Sequence, residues 1–155
     1  MTTTRDLTDL LERSFHGGAW HGPAVAEALE GVDATTAARR PIPAAHNIWE
    51  IIHHLTIWHE VPLRRIDGDR GDELSAEDWC PVEEPSEESW QQVLDALRTA
   101  HRKLHARLAE LTDEELERPV AGSDPTLRGM ILGVIQHNAY HGGQIAVLRK
   151  SAGRP

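Results

Sequence analysis

The spacing of apolar residues constrains this chain most, because they recur every three or four positions along four long segments. No segment shows the strict apolar and polar alternation that is typical of a half-buried strand. In the third segment the apolar stripe consists of Trp90, Val93, Leu94, Leu97, Leu104, Leu108 and Leu111. Such a stripe follows one face of an α-helix. The sequence therefore predicts an all-α protein in which four amphipathic helices pack as a four-helix bundle.

Helix-breaking and capping residues divide the chain into these helices. Residues 6–29 have helical spacing with an interruption at two consecutive glycines, and the proline-rich residues 41–43 end this unit. Asn47 is the predicted N-cap of the second helix, and Ser86 is the predicted N-cap of the third. The last helix is predicted to start near Thr126.

Residues 67–85 are rich in acidic side chains, glycine and proline and show no apolar period. We expect a long acidic connection between the second and third helices, with no element of its own. Such a connection either covers a site or is a solvated linker. No internal repeat or low-complexity tract interrupts the pattern, so residues 1–155 are expected to form a single domain.

The charge balance excludes several classes of partner. Acidic residues outnumber Lys and Arg by 25 to 16, which removes the electrostatic driving force for binding nucleic acid. No run approaches the roughly 18 apolar residues of a membrane span, and the N-terminal residues lack the apolar core of a signal peptide. We expect a cytoplasmic protein without membrane contact. The lone Cys80 cannot form an intramolecular disulfide, which is consistent with that compartment.

Three histidines have the spacing expected of a metal site. His137 and His141 are four residues apart on the last helix, so both imidazoles can point to one position. His54 lies on the inward seam of the second helix and is the candidate third ligand. Three imidazoles would leave an open position for water or substrate. Gln144, close after His141, can hydrogen-bond a ligand or a bound molecule.

The other histidines carry weaker signals. His101 and His105 share the same spacing, but the apolar stripe of their helix leads us to expect them at its solvated edge and not as ligands. His53 is offset by about 100° from His54 on the same helix and should point away from it. His46 and His59 are possible partners of the ligands.

Several segments resemble the DinB superfamily. They are NIWEIIHHLTIW (residues 47–58), LRGMILGVIQHNAYHGGQIAVLRK (residues 127–150) and AWHGPAVAEALEG (residues 19–31), together with the surroundings of Trp79 and Trp90. The resemblance extends over nearly the whole chain. It implies a DinB-like four-helix bundle, often a homodimer, with one divalent transition metal such as zinc or nickel.

The resemblance also implies site residues. The family's single histidine in an IWE-type helix and its HxxxHxGQ segment match His54, His137 and His141 as metal ligands, and its GQ pair matches Gly143 and Gln144. His53, the additional histidine beside His54, departs from the family pattern.

Characterised relatives include metal-dependent transferases and isomerases that use low-molecular-weight thiols such as bacillithiol, mycothiol or glutathione. Our leading hypothesis is therefore a metal-dependent S-transferase, in which a thiolate attacks a small electrophilic substrate. A metal-dependent hydrolase is one alternative. A metal-binding stress protein without turnover, whose ion clamps two helices, is the other.

Overall fold

The computed structural model describes residues 3–75, 78–120 and 126–152, and in these residues the protein is all-helical. Apart from one isolated β-bridge between Pro119 and Thr126, no strand forms in the described ranges. The helices in chain order are α1 (Thr4–His16), α2 (Val25–Ala28), α3 (Ala34–Ala38), α4 (Ile48–Ile66), α5 (Asp72–Ser75), α6 (Glu87–Ala109) and α7 (Leu127–Ala152), with a 3-10 turn at Glu115–Glu117 between the last two.

The long helices begin where the capping residues predict. The Asn47 side chain accepts a hydrogen bond from the backbone N–H of Glu50 (2.8 Å), and the Glu50 carboxylate accepts one from the backbone N–H of Asn47 (3.1 Å). This reciprocal pair satisfies two N–H groups that the first turn of α4 would leave unpaired. Ser86 caps α6 in the same way, by accepting from the N–H of Ser89. Both predicted helix starts are confirmed.

Two short helices occur where the sequence predicts only connections. The first, α3, lies between the first predicted unit and the second long helix, and the Asp33 side chain caps it by accepting a hydrogen bond from the N–H of Thr36. The second, α5, lies inside residues 67–85, so the expectation that this segment contains no element was wrong. Both helices have five residues or fewer, a length too short to produce a visible apolar period.

The four long helices contact one another pairwise. Helix α4 packs against α6 and α7, and α1 also packs against α6 and α7. One apolar cluster surrounds Trp49 and Trp90, whose ring centroids are 5.1 Å apart, and a second includes Leu7, Leu104 and Leu127. This packing brings the histidine-bearing faces of α4 and α7 together. None of the described helices is long and apolar enough to cross a membrane.

Replacement of Trp90 by Phe tests the first apolar cluster. The Trp90 side chain is fully buried, and its indole N–H donates to the backbone carbonyl of Val32 at 2.9 Å. The substitution should lower the free energy of unfolding by about 1–3 kcal/mol, because it leaves a buried carbonyl unpaired and a cavity behind. Trp20→Phe is the matched control, since Trp20 is fully exposed. Urea denaturation followed by circular dichroism measures both, and equal losses would contradict this role.

Candidate metal centre

Two helices bring three imidazoles to one point. Helix α4 supplies His54, and α7 supplies His137 and His141 one turn apart. The Nε2 atom of His137 lies 2.9 Å from the Nε2 atoms of both His54 and His141. Nitrogen ligands at about 2.0–2.1 Å from a tetrahedral zinc ion are about 3.3 Å apart, so a small outward movement of the rings accommodates an ion. The structure thus brings together the three residues predicted from the sequence.

Two acceptors determine which ring nitrogens carry protons. His54 donates from Nδ1 to Asp78 Oδ1 (2.6 Å), and His141 donates from Nδ1 to Gln144 Oε1 (2.7 Å). In a neutral imidazole a proton on Nδ1 leaves a lone pair on Nε2. Lone pairs that converge in this way repel one another unless a cation or proton lies between them. The donor set therefore fits a divalent ion, with Asp78 and Gln144 orienting its ligands.

Burial keeps the three imidazoles neutral. Desolvation, together with the neighbouring histidines, lowers the pKa of His137 to about 3. Desolvation lowers the pKa of His141 to about 4, partly opposed by its hydrogen bond to Gln144. The pKa of His54 is also lowered by burial, although the Asp78 carboxylate opposes the shift. Neutral imidazole is the form that binds metal, so the site is ready for an ion at neutral pH.

The acidic segment between α5 and α6 lies against this centre through Asp78 and Trp79. Asp78 also accepts a hydrogen bond from the indole N–H of Trp58 at 2.7 Å. The Trp79 ring is stacked between His46 (3.6 Å between centroids) and His54 (4.0 Å). Sequence reasoning did not identify Asp78 as a partner of the site. Metal-binding histidines usually have a carboxylate or carbonyl partner, which was a reason to look for one. No spacing rule, however, links residues 24 positions apart.

Packing determines where the remaining histidines lie relative to the metal centre. His53 lines a different groove, beside Cys80, as its helical offset predicts. His59 is fully buried and donates to a carbonyl of its own helix, so the expectation that it hydrogen-bonds a ligand is not met. His101 was expected at a solvated edge, and this was wrong. It is buried because the Phe15 ring stacks on it at 3.8 Å, a contact with α1 that the stripe of α6 does not reveal. His105 is partly exposed.

Two cavities meet at His54 and His137. The larger has a volume of about 740 Å³ and an apolar and aromatic lining that includes Ile42, Ile51, Trp79, Tyr140, Val147 and Leu148. Within the described part of the chain its lining contains no Lys, Arg, Asp or Glu. The smaller, of about 330 Å³, is lined by Trp58, Pro62, Arg65, Met130, Gly133 and Val134. A bound ion would therefore be reachable from two sides.

Glycines in α7 keep these spaces open. A Cβ atom added at Gly133 or Gly143 would meet no atom within 4 Å, and each residue lines one of the cavities. Gly142 differs, because a Cβ there would lie 3.4 Å from the backbone oxygen of Pro23. Glycine lowers the helix propensity of α7. Gly133 and Gly143 offset this cost by leaving the cavities open, and Gly142 does so by lying close to Pro23.

A family model described as the DinB superfamily matches residues 19–145. The matched range includes the three histidines, Asp78 and Gln144. Searches of curated proteins and of solved structures found no match to the chain.

Single replacement of His54, His137 or His141 by Ala should each weaken the tightest metal binding. Loss of a ligand should exceed the roughly 10- to 100-fold effect that is typical of its hydrogen-bond partners. His53→Ala is the control, because it removes an adjacent imidazole that does not join the cluster. Competitive chelator titration measures the affinity, and an equal loss in the control would contradict the assignment.

Asp78→Asn tests the orienting hydrogen bond. The amide keeps the side chain's shape but removes the charge that complements the Nδ1–H group of His54, so metal affinity should fall by about 10- to 100-fold. Asp95→Asn is a matched control on an exposed position of α6, where the carboxylate pairs only with Arg98 among the contacts described. Unchanged affinity in Asp78→Asn would show that the ring is held by packing alone.

Proposed function

The chain belongs to the DinB superfamily, and we propose that it is a metal-dependent S-transferase that activates a low-molecular-weight thiol. The observation that carries the proposal is the convergence of three neutral imidazoles between two cavities. We further propose that α1, α4, α6 and α7 form the four-helix bundle of the family, which their pairwise contacts support. The exposed apolar side chains of Tyr140 and Val147 are consistent with the homodimer that the resemblance implies.

His54, His137 and His141 would hold one zinc or nickel ion, and three protein ligands leave a position open for a reactant. A bound ion would lower the pKa of a thiol at that position, since neutral ligands leave its positive charge uncompensated. The protein's own part is to orient the imidazoles through Asp78 and Gln144 and to surround the reactants with apolar walls. The thiol proton would pass to water, and the thiolate sulfur would then bond to the electrophilic atom, whose leaving group would depart with the bonding electron pair.

The two cavities suit the two reactants of a transfer reaction. The larger cavity has no charged lining residue and is bounded by aromatic rings, which favours an uncharged, apolar electrophile. The smaller is lined by Arg65, whose guanidinium can pair with an anionic group of the thiol. Gln144 lines the larger cavity, and its amide N–H groups are suited to a polar atom of the molecule bound there.

The geometry favours a thiol over water as the nucleophile. A hydrolase would need a general base with a free acceptor beside the ion. Asp78 contacts His54 at Nδ1, on the other side of the ring from the Nε2 atom that would bind the ion, and its Oδ1 also accepts from Trp58. The Glu50 carboxylate is engaged at the start of α4 by His46 and a backbone N–H. A non-catalytic metal-binding stress protein is the remaining alternative, and turnover distinguishes it.

Zinc- or nickel-loaded protein should consume a haloarene electrophile in the presence of one low-molecular-weight thiol and not in its absence. His137→Ala should lower the rate by about 100-fold or more, because the ion is lost. Arg65→Gln should raise KM for an anionic thiol with little change in kcat, since Arg65 is assigned to binding. Liquid chromatography of the conjugate measures each rate.

The same assay separates the alternatives. Consumption of the substrate without any thiol would favour hydrolysis. No consumption with any thiol, in protein that retains its metal, would favour the non-catalytic alternative. An unchanged rate in His137→Ala would contradict a role for the centre in the reaction.

A further inference from the structure

A second group of potential ligands lies between the other pair of long helices. Glu12 and His16 are one turn apart on α1, and His101 faces them from α6. We propose that these three residues, the α1–α6 cluster, bind a second divalent transition-metal ion. The proposal is independent of the transferase activity, because it concerns different residues and helices.

Glu12 lies at hydrogen-bond distance from both histidines, close to the separation of neighbouring ligands in a coordination shell. Glu12 Oε1 lies 2.8 Å from Nδ1 of His16, and Glu12 Oε2 lies 3.2 Å from Nε2 of His101. All three ligand atoms lie within 4.8 Å of one another. Ligands at about 2.0–2.2 Å from an ion are separated by about 3.0–3.4 Å, so only small side-chain rotations are needed. Nε2 of His105, 3.8 Å from Glu12 Oε2, is a candidate fourth ligand.

Aromatic packing orients the rings before any ion binds. His101 is buried with its ring nearly parallel to that of Phe15, at 3.8 Å and 8°. The His16 ring meets Phe15 edge-on at 4.9 Å and His101 edge-on at 5.1 Å. The stack thus fixes the plane of the His101 ring beside Glu12. An orientation held by packing lowers the entropy cost of binding an ion.

A simple contact between His101 and Glu12 leaves two buried nitrogens unexplained. To donate to the Glu12 carboxylate, a neutral His101 must carry its proton on Nε2, which leaves Nδ1 as a buried acceptor with no partner among the described residues. The nearby His59 donates from Nδ1 to the Leu55 carbonyl, so its buried Nε2 is also an acceptor to which no described residue donates. Unpaired buried acceptors cost free energy, and here there are two in neighbouring rings.

Metal binding would remove this mismatch. An ion on Nε2 of His101 requires the proton to be on Nδ1, which converts Nδ1 from an acceptor into a donor. The centroids of the His101 and His59 rings are 5.5 Å apart, so this donor would lie near a ring whose Nε2 atom is an acceptor. The mixed nitrogen and carboxylate donor set suits zinc, nickel or copper. The partial exposure of Glu12 and His16 makes the site weaker and more exchangeable than the buried centre. The expectation that His101 is not a ligand is revised accordingly.

Zinc titration of the metal-free protein tests the proposal. Unmodified protein should bind two equivalents, and the His137→Ala variant should bind one. Glu12→Gln together with His16→Ala, introduced into the His137→Ala background, should weaken that remaining equivalent by about tenfold or more. These two side chains are at least partly exposed, and circular dichroism verifies that helix content is kept.

The matched control combines His21→Ala with Glu30→Gln in the same background, since both residues are exposed and lie outside the α1–α6 cluster. It should retain the second equivalent with unchanged affinity. Zinc should also raise the melting temperature of the His137→Ala protein and of this control, but not of the protein lacking Glu12 and His16. A single equivalent in unmodified protein, or an unchanged second equivalent after loss of Glu12 and His16, would overturn the proposal.

Discussion

Three imidazole nitrogens that face one another at hydrogen-bond distance are the constraint on which the site depends. Their lone pairs repel one another unless a cation or a proton lies between them, and His54, His137 and His141 are held close together all the same. The apolar clusters between the long helices supply the packing that opposes the repulsion. The Asp78 and Gln144 acceptors add to it by fixing the proton on the far nitrogen of two rings. The packed core thus holds a set of side chains that could bind a metal ion.

The segment between α5 and α6 connects the histidine cluster to the protein surface through Asp78 and Trp79. Asp78 holds His54 and Trp58 together, and Trp79 stacks on the ring of the same histidine as a partly exposed wall of the larger cavity. A displacement of these two residues would therefore change both the orientation of His54 and the shape of the cavity. This arrangement gives an acidic connection a role in the site.

The two histidine clusters lie in two of the contacts between long helices. One joins α4 to α7 and is largely buried, with cavities on either side, whereas the α1–α6 cluster is open to solvent at His16. Both combine two potential ligands one helical turn apart with a third from a facing helix. The difference in exposure determines their chemistry, because a dry, cavity-lined position favours charge stabilisation and a solvated one favours exchange.

The sequence by itself determined the helical class, the starts of α4 and α6 and the three histidines of the buried centre. These depend on local physics, since the helical period and the capping hydrogen bonds act within about four residues. Only the tertiary structure decided that Asp78 orients His54 and that Phe15 buries His101 beside Glu12. Such contacts join residues far apart in the chain, and no periodicity encodes them, because they result from how separate helices pack against one another.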